Sequence, residues 1–160
     1  MRIVIGAVGR LKDGPERELV ARYAERAAQT GRALALGPVD IREVPESRAK
    51  RAEDRKREEA AALSALLVPG APVVALEEGG KSLSSLEFAS MLGRWRDDGA
   101  PAAQFLIGGA DGLDPELVKN TALVLGFGRM TWPHQIVRAL LSEQIYRAAT
   151  ILAGHPYHRE

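Results

Sequence analysis

A three-layer α/β domain with a mainly parallel sheet is predicted by two features of this 160-residue chain. Short β-branched apolar runs alternate with longer amphipathic stretches from one end to the other, and loops bearing glycine or proline separate them. A chain of this length buries about two thirds of the surface it would expose unfolded, enough for one core without disulfide or metal staples. No internal repeat, low-complexity tract or linker divides it, so residues 1–160 read as a single domain.

The elements follow in order. "RIVIGAV" (2–8) is a first strand, ended by the Gly9–Gly14 loop with Lys12 and Asp13. Pro15 opens a helix that sets Leu19, Val20, Tyr23, Ala24 and Ala27 on one face. "ALALGPVDIREV" (33–44) reads as a second strand, broken at Gly37 and Pro38. Residues 48–67 form a helix that starts charged, ends in Ala and Leu, and is stopped by Pro69 and Gly70. "PVVALEE" (72–78) is short and apolar, as a buried strand of a parallel sheet should be. Ser84 with Glu87 makes a capping box for the helix "SLEFASMLGRWRDDG", which ends near Gly99. "AAQFLIGG" (102–109) is a further strand; after the "GGADGL" loop, Asp114 and Pro115 cap and open the short helix "DPELVKNTA". "LVLGFG" (123–128) is the last strand. "PHQIVRALLSEQIYRAATILAG" (133–154) is a long helix with Ile136, Val137, Leu140, Leu141, Ile145, Ala148, Ala149 and Leu152 in one stripe.

Composition narrows the function classes. The net charge is +1, from 22 basic and 21 acidic residues, so the whole-molecule field is not that of a general nucleic-acid binder and any polyanion contact is local. The richest local supply is "SRAKRAEDRKREE" (47–59), six basic residues among four acidic ones, a mixture that describes a solvated, internally paired helix face. With no cysteine, disulfides and thiolate metal sites are excluded, and a reducing compartment suits the chain. No apolar run approaches the roughly 20 residues of a bilayer span. The amino end alternates toward a strand more than toward a signal peptide. The expectation is a soluble cytoplasmic protein with no membrane partner.

In open parallel sheets ligands bind outside the carboxyl ends of the strands. Leu76–Lys81, Gly108–Asp114 and Gly126–Pro133 occupy those ends. "IGGADG" permits close backbone approach, yet it fits neither the GxGxxG nor the Walker pattern and follows a late strand. A tight turn and a floor for a flat or small ligand both remain open for it. "LGFGRMTWPHQ" places Phe127, Met130 and Trp132 among glycines, where they face either a pocket or the core. The other polar candidates are His134, Arg138, Ser142, Arg147 and the terminal "HPYHRE". No H-E-x-x-H, H-x-E or G-x-S-x-G pattern is present, so neither a metal site nor a hydrolytic triad is expected. These residues define a ligand pocket at the sheet's carboxyl edge without naming a reaction.

Several motifs together carry a family resemblance. "GGKSLSSLEFA" (79–89), "FLIGGADGL" (105–113), "MTWPHQIVRALLSEQIYRAATILAGHPYHRE" (130–160) and the start "AVGRLKDGPERELVARYAERA" resemble the RlmH family of the SPOUT superfamily. Residues 29–40, rich in Ala and Gly, depart from the family pattern. The resemblance implies a SPOUT-type fold with a C-terminal trefoil knot, a homodimer, and S-adenosyl-L-methionine as cofactor. It implies methylation of N3 of a pseudouridine in 23S rRNA within the ribosome. It assigns cofactor contacts to Leu76, Gly108, Gly109, Phe127, Gly128, Arg129, Met130, Thr131 and Trp132. In the tail, Tyr157 would stack on or hydrogen-bond the base, His158 would accept the imide proton, and Arg159 would hold phosphate or the imide anion. His155 and Arg138 would contact RNA or the dimer partner, with an ordinary ion pair the alternative for Arg138. Arg10, Lys12, Arg17, Arg22 and the basic residues of 48–57 are docking candidates. Two rival classes are a nucleotide- or flavin-binding oxidoreductase on a doubly wound fold, and a non-catalytic ribosome-associated factor.

Overall fold

In the computed structural model, which describes residues 1–159, β1 (Arg2–Val8) is buried at every position after Arg2, which requires cover on both faces of the sheet. That cover comes from the helices between successive strands. After β1 follow α1 (Pro15–Gly31), a 3₁₀ turn (Arg32–Leu34), β2 (Val39–Val44), α2 (Ala52–Ser64) and β3 (Val73–Lys81). Then come α3 (Ser85–Asp97), β4 (Ala102–Ile107), α4 (Pro115–Lys119), β5 (Leu123–Leu125) and α5 (His134–Leu152). The five strands lie in the order β2-β1-β4-β3-β5, and every pairing is parallel.

The period-2 alternation of side chains sorts the sheet's two faces. Ile3, Ile5, Ala7, Phe105 and Ile107 pack with Ala27 of α1, Phe88 and Leu92 of α3, and Leu141 and Ile145 of α5. Val8, Val44, Ala75 and Leu106 face the other way, against Leu63 of α2 and Leu117 of α4. Each large apolar side chain so enclosed contributes about 1.5–3 kcal/mol. Among the strands one polar side chain is buried: Gln104 of β4 accepts from the Val68 N–H at 2.7 Å and donates to the Val68 carbonyl at 3.3 Å. The buried amide thereby fastens the segment after α2 to the sheet.

The capping box forms as predicted, with the Glu87 N–H donating to Ser84 Oγ at 3.2 Å and the Ser84 N–H to Glu87 Oε2 at 2.7 Å. The second strand differs from expectation. Residues 32–34 continue α1 as a 3₁₀ turn, Ala35 is left-handed, and only Val39–Val44 joins the sheet. Leu34 and Leu36 are apolar because they pack on the α1 side of the core, a role that alternation alone does not separate from a strand. The helix read over 48–67 spans only Ala52–Ser64, since residues 47–51 are tied outside it by side chains of α2.

β3 leaves its ladder and returns. Leu76 and Lys81 both pair with Leu125, so residues 77–80 bulge out between them, and the Gly126 N–H donates to the Lys81 carbonyl at 3.1 Å. Here two backbones cross in contact. A Cβ on Gly80 would sit 2.5 Å from the Leu125 carbonyl carbon, and one on Gly126 would sit 2.9 Å from the Gly80 oxygen. A second close approach lies one loop away, where the turn after β4 closes on itself and a Cβ on Gly108 would sit 2.6 Å from the Gly112 carbonyl carbon. Gly80→Ala is expected to lower the unfolding free energy by about 1–3 kcal/mol in a denaturant titration, the cost of overpacking against atoms that cannot give. Gly79→Ala, whose added carbon meets nothing within 4 Å, is the control and should change little.

Candidate functional site

Because all strands run the same way, the loops after β3, β4 and β5 end at one edge of the sheet, and they enclose a pocket of about 330 Å³. Backbone of Gly108–Gly112 forms one side of it. Leu76, Ile107, Leu125 and Val137 supply apolar wall, and the loop after β5 supplies Phe127, Gly128, Met130, Thr131 and Trp132. Gly112 and Gly128 have φ of 81° and 100°, a region that side chains other than glycine's rarely tolerate, so both loops turn where glycine permits. The β5 loop is fastened twice: Thr131 Oγ1 donates to Glu78 Oε2 at 2.8 Å, and the Trp132 indole N–H donates to the Phe127 carbonyl at 3.3 Å. Met130 and Trp132 remain 74% and 43% exposed, large apolar groups offered to whatever enters.

Three carboxylates border the pocket, and each has a partner. Glu77 accepts from the Leu113 N–H at 3.1 Å, Glu78 from Thr131, and Asp111 from Arg55. The hydrogen bond from Arg55, followed by its charge, holds the Asp111 carboxyl below its ordinary range. Among the described residues that line the pocket there is no lysine or arginine, and His134 is the single imidazole. The site therefore suits a ligand with a flat or apolar part and a positively charged centre.

Of the residues singled out in the sequence, Leu76, Gly108, Gly109, Phe127, Gly128, Met130, Thr131 and Trp132 come together in this pocket. Arg129 is exposed and lies outside the lining. The tail lies elsewhere on the same chain. The Tyr157 ring packs on Tyr146 with centroids 4.6 Å apart and under the Arg147 guanidinium at 4.9 Å, and its hydroxyl donates to Glu143 Oε1 at 3.1 Å. Nδ1 of His158 stands 3.5 Å from Nη1 of Arg147, Arg159 is exposed, and His155 Nδ1 accepts from the Tyr157 N–H at 3.2 Å. Arg147 is thirteen positions beyond His134 along α5, about 20 Å at 1.5 Å per residue, so within one chain the tail does not line the pocket.

For Arg138 the structure takes the ion-pair alternative. Its side chain is fully buried, paired with Glu43 and donating to the carbonyls of Val8 and Gly9 at 3.3 and 3.0 Å, so it presents nothing to RNA or to a partner subunit. Burial pulls its pKa down, and the Glu43 charge opposes that. The Leu11 N–H also donates to Glu43, so the pair ties the loop after β1 to the helix that carries His134 and Val137. Ser142 is likewise structural, its hydroxyl donating to the Arg138 carbonyl. Glu77, Glu78 and Asp111 were not singled out from the sequence as site residues. Their signal was available, since carboxylates directly after an apolar strand stand at its carboxyl end.

The fold and this pocket define a class, and comparison with known proteins agrees with it. Residues 1–158 match the family described as "Predicted SPOUT methyltransferase", and the chain belongs to that family. Membership implies the C-terminal knot. Within the family the chain falls with ribosomal RNA large subunit methyltransferase H. It is 59% identical to the protein of that name from Bradyrhizobium sp. (strain BTAi1), 60% to that of Nitrobacter winogradskyi and 58% to that of Nitrobacter hamburgensis. Each match runs over 159 residues, 99% of this chain and 99% of the relative. Among the described residues no helix is long and apolar enough to cross a membrane, and no group of three His, Cys, Asp or Glu is placed to hold a metal ion.

The docked tail carries its own pH signature. Burial first, then the Glu143 carboxylate, push the Tyr157 phenol up to about 12, against an unfolded value near 10. A raised pKa in the folded state means that this docking stabilises the protein fully below about pH 10 and ceases to as pH rises through 12. Phenolate absorbance, read as the difference between the protein and Tyr157→Phe, should show a midpoint near 12. Glu143→Gln should move it down.

Proposed function

We propose that the protein uses S-adenosyl-L-methionine to methylate N3 of a pseudouridine in 23S rRNA, acting as a homodimer on the assembled ribosome in the cytoplasm. The observation that carries this reading is the glycine-backed, carboxylate-bordered pocket, in a chain whose relatives are named ribosomal RNA large subunit methyltransferase H. The residues present fit the cofactor. A cavity of about 330 Å³ is at the small end of ligand pockets and suits a bent molecule. Gly108, Gly109 and Gly128 bring bare backbone to its surface, while Leu76, Phe127, Met130 and Trp132 offer apolar contact to adenine and to the methionine chain. The carboxylates of Glu77 and Glu78 complement an ammonium and a sulfonium.

S-adenosyl-L-methionine supplies an electrophilic methyl on a positive sulfur. The chain's own part is to hold that methyl in line with the acceptor, to keep water out and to remove a proton. Alignment at roughly 3–3.5 Å is the largest contribution. The acceptor is a weakly acidic imide whose N3 proton leaves before or during attack, and a well-placed base contributes about 10² to 10⁴. His158 is the base in this reading, Tyr157 the stacking or hydrogen-bonding group, and Arg159 the cation for the imide anion or a phosphate. In the docked tail Nδ1 of His158 stands 3.5 Å from Nη1 of Arg147. Because the tail lies far from its own pocket along α5, it serves the pocket of the partner subunit in a homodimer.

Ile136 and Leu140 on α5, half-buried and outside both core clusters, support an association of that kind, as does Leu86 on α3, 42% exposed. With a net charge of +1, recognition draws on local basic groups, Arg10, Lys12, Arg22 and the start of α2, and on a preassembled particle rather than free RNA.

Transfer of labelled methyl from S-adenosyl-L-methionine to ribosomes that lack the native modification tests the reading. Label recovered at N3 of a 23S pseudouridine is expected, and ribosomes left unlabelled by a protein that binds the cofactor would refute the substrate. Removing residues 155–160 should abolish transfer while cofactor affinity and dimerisation persist; unchanged transfer would remove the tail from the chemistry.

A further inference from the structure

The basic run on α2 hides one arginine that differs from its neighbours. Arg51 pairs with Glu53 and Arg57 with Asp54, exchanges within the helix's own first turns. Arg55 reaches across the molecule instead. Its Nε and Nη2 donate to the two carboxylate oxygens of Asp111 at 2.6 and 2.9 Å, a bidentate fork between residues 56 positions apart. Its Nη1 donates to the carbonyls of Ala49 and Lys50, both at 3.0 Å, which fixes the guanidinium before it meets the carboxylate. Asp111 borders the pocket, in the loop whose Gly108–Gly112 backbone forms one of its sides.

Leu113 anchors the end of that loop in the second core cluster, and its other hydrogen bonds are few. The Gly112 N–H donates to the Gly109 carbonyl at 3.1 Å within the loop itself, and the Leu113 N–H donates to Glu77 from the β3 side. From the other side β1 approaches through Val8, whose Cγ1 would lie 3.0 Å from a Cβ on Gly109, but the polar contacts come from α2, through Arg55 and through Glu59, whose Oε2 would lie 3.3 Å from that Cβ. We infer that Arg55 is a positioning residue for the methyl-donor pocket, holding the Gly108–Leu113 loop in place through Asp111 without touching the ligand. The identity of the ligand rests on the proposed function, whereas the clamp on the loop does not.

Two consequences separate this role from simple charge balance. Removing Arg55 unmasks a carboxylate at the pocket, so charge alone would make the site bind S-adenosyl-L-methionine more tightly and leave the uncharged-sulfur product, S-adenosylhomocysteine, less affected. Loss of positioning weakens both ligands alike. Arg55→Lys keeps the charge and loses the planar fork, so it should restore only part of the affinity.

The experiment measures both affinities by calorimetry for the wild-type chain, Arg55→Met, Arg55→Lys, Asp111→Asn and the Arg55→Met/Asp111→Asn double variant. Amide hydrogen exchange is followed on the ligand-free proteins. The expected result is a loss of roughly three- to tenfold for both ligands in Arg55→Met and in Asp111→Asn, the scale of a partly exposed bidentate pair. The double variant should be no worse than either single one, as two ends of one interaction require. Exchange at Gly112 and Leu113 should quicken in Arg55→Met while the amides of β1 and β4 hold their rates. Unchanged exchange at those two amides would overturn the clamp, as would tighter binding of S-adenosyl-L-methionine alone. If the wild-type chain binds neither ligand, the proposed function falls, and the exchange rates still decide the clamp.

Discussion

Two peptide backbones can lie in contact only where no side chain stands between them, and this structure depends on that exclusion at Gly80, Gly108 and Gly126. The return of β3 to the ladder at Lys81, the exit of the chain from β5 and the closure of the Gly108–Leu113 loop all pass through these contacts. Were any of the three to carry a methyl group, one backbone would have to withdraw and the pocket wall would move with it. The glycines are therefore a geometric condition for both the crossing of the chain and the shape of the site. A knotted carboxyl-terminal segment, which the family implies, makes the same demand.

Electrostatic ties then fix the elements around those crossings. Glu43 gathers Arg138 and the loop after β1, so the first turns of α5 are anchored to the amino-terminal half of the sheet. Glu77 and Glu78 join the end of β3 to the two neighbouring loops. Buried ion pairs contribute little net stability compared with apolar packing, and what they define is geometry. Arg138, fully enclosed and held by a carboxylate and two carbonyls, fits that description: it sets where α5 starts, and α5 carries His134 and Val137 into the pocket.

Much of this was legible in the residues. The strand and helix alternation led to the parallel sheet, Ser84 and Glu87 announced their cap, and the three segments at the strand ends proved to share one pocket. These are local patterns whose meaning does not depend on distant parts of the chain. Where meaning did depend on distance, reading along the chain failed. The choice between an RNA or subunit contact and an ion pair stayed open for Arg138 because its partner, Glu43, is 95 positions away, and Arg55 was counted in a solvated run because Asp111 is 56 positions away. The stretch 33–36 shares its apolar character with a strand but spends it on packing beside α1. The tail's rest position on α5 had no signature at all, since Tyr157, Glu143 and Tyr146 meet only once the helix ends and the chain turns back.

The distribution of the pocket along the chain has a consequence for how the protein comes into being. Its walls are drawn from Leu76–Glu78, Ile107–Gly112 and Leu125–Val137, and its anchor to β2 runs through Arg138. A chain synthesised from its amino end thus completes β1, α1 and β2 before any wall of this site exists, and the lining is complete only once α5 brings in His134 and Val137. Parallel pairings between distant strands form late and slowly. The site is consequently completed only when α5 settles between α1 and α3.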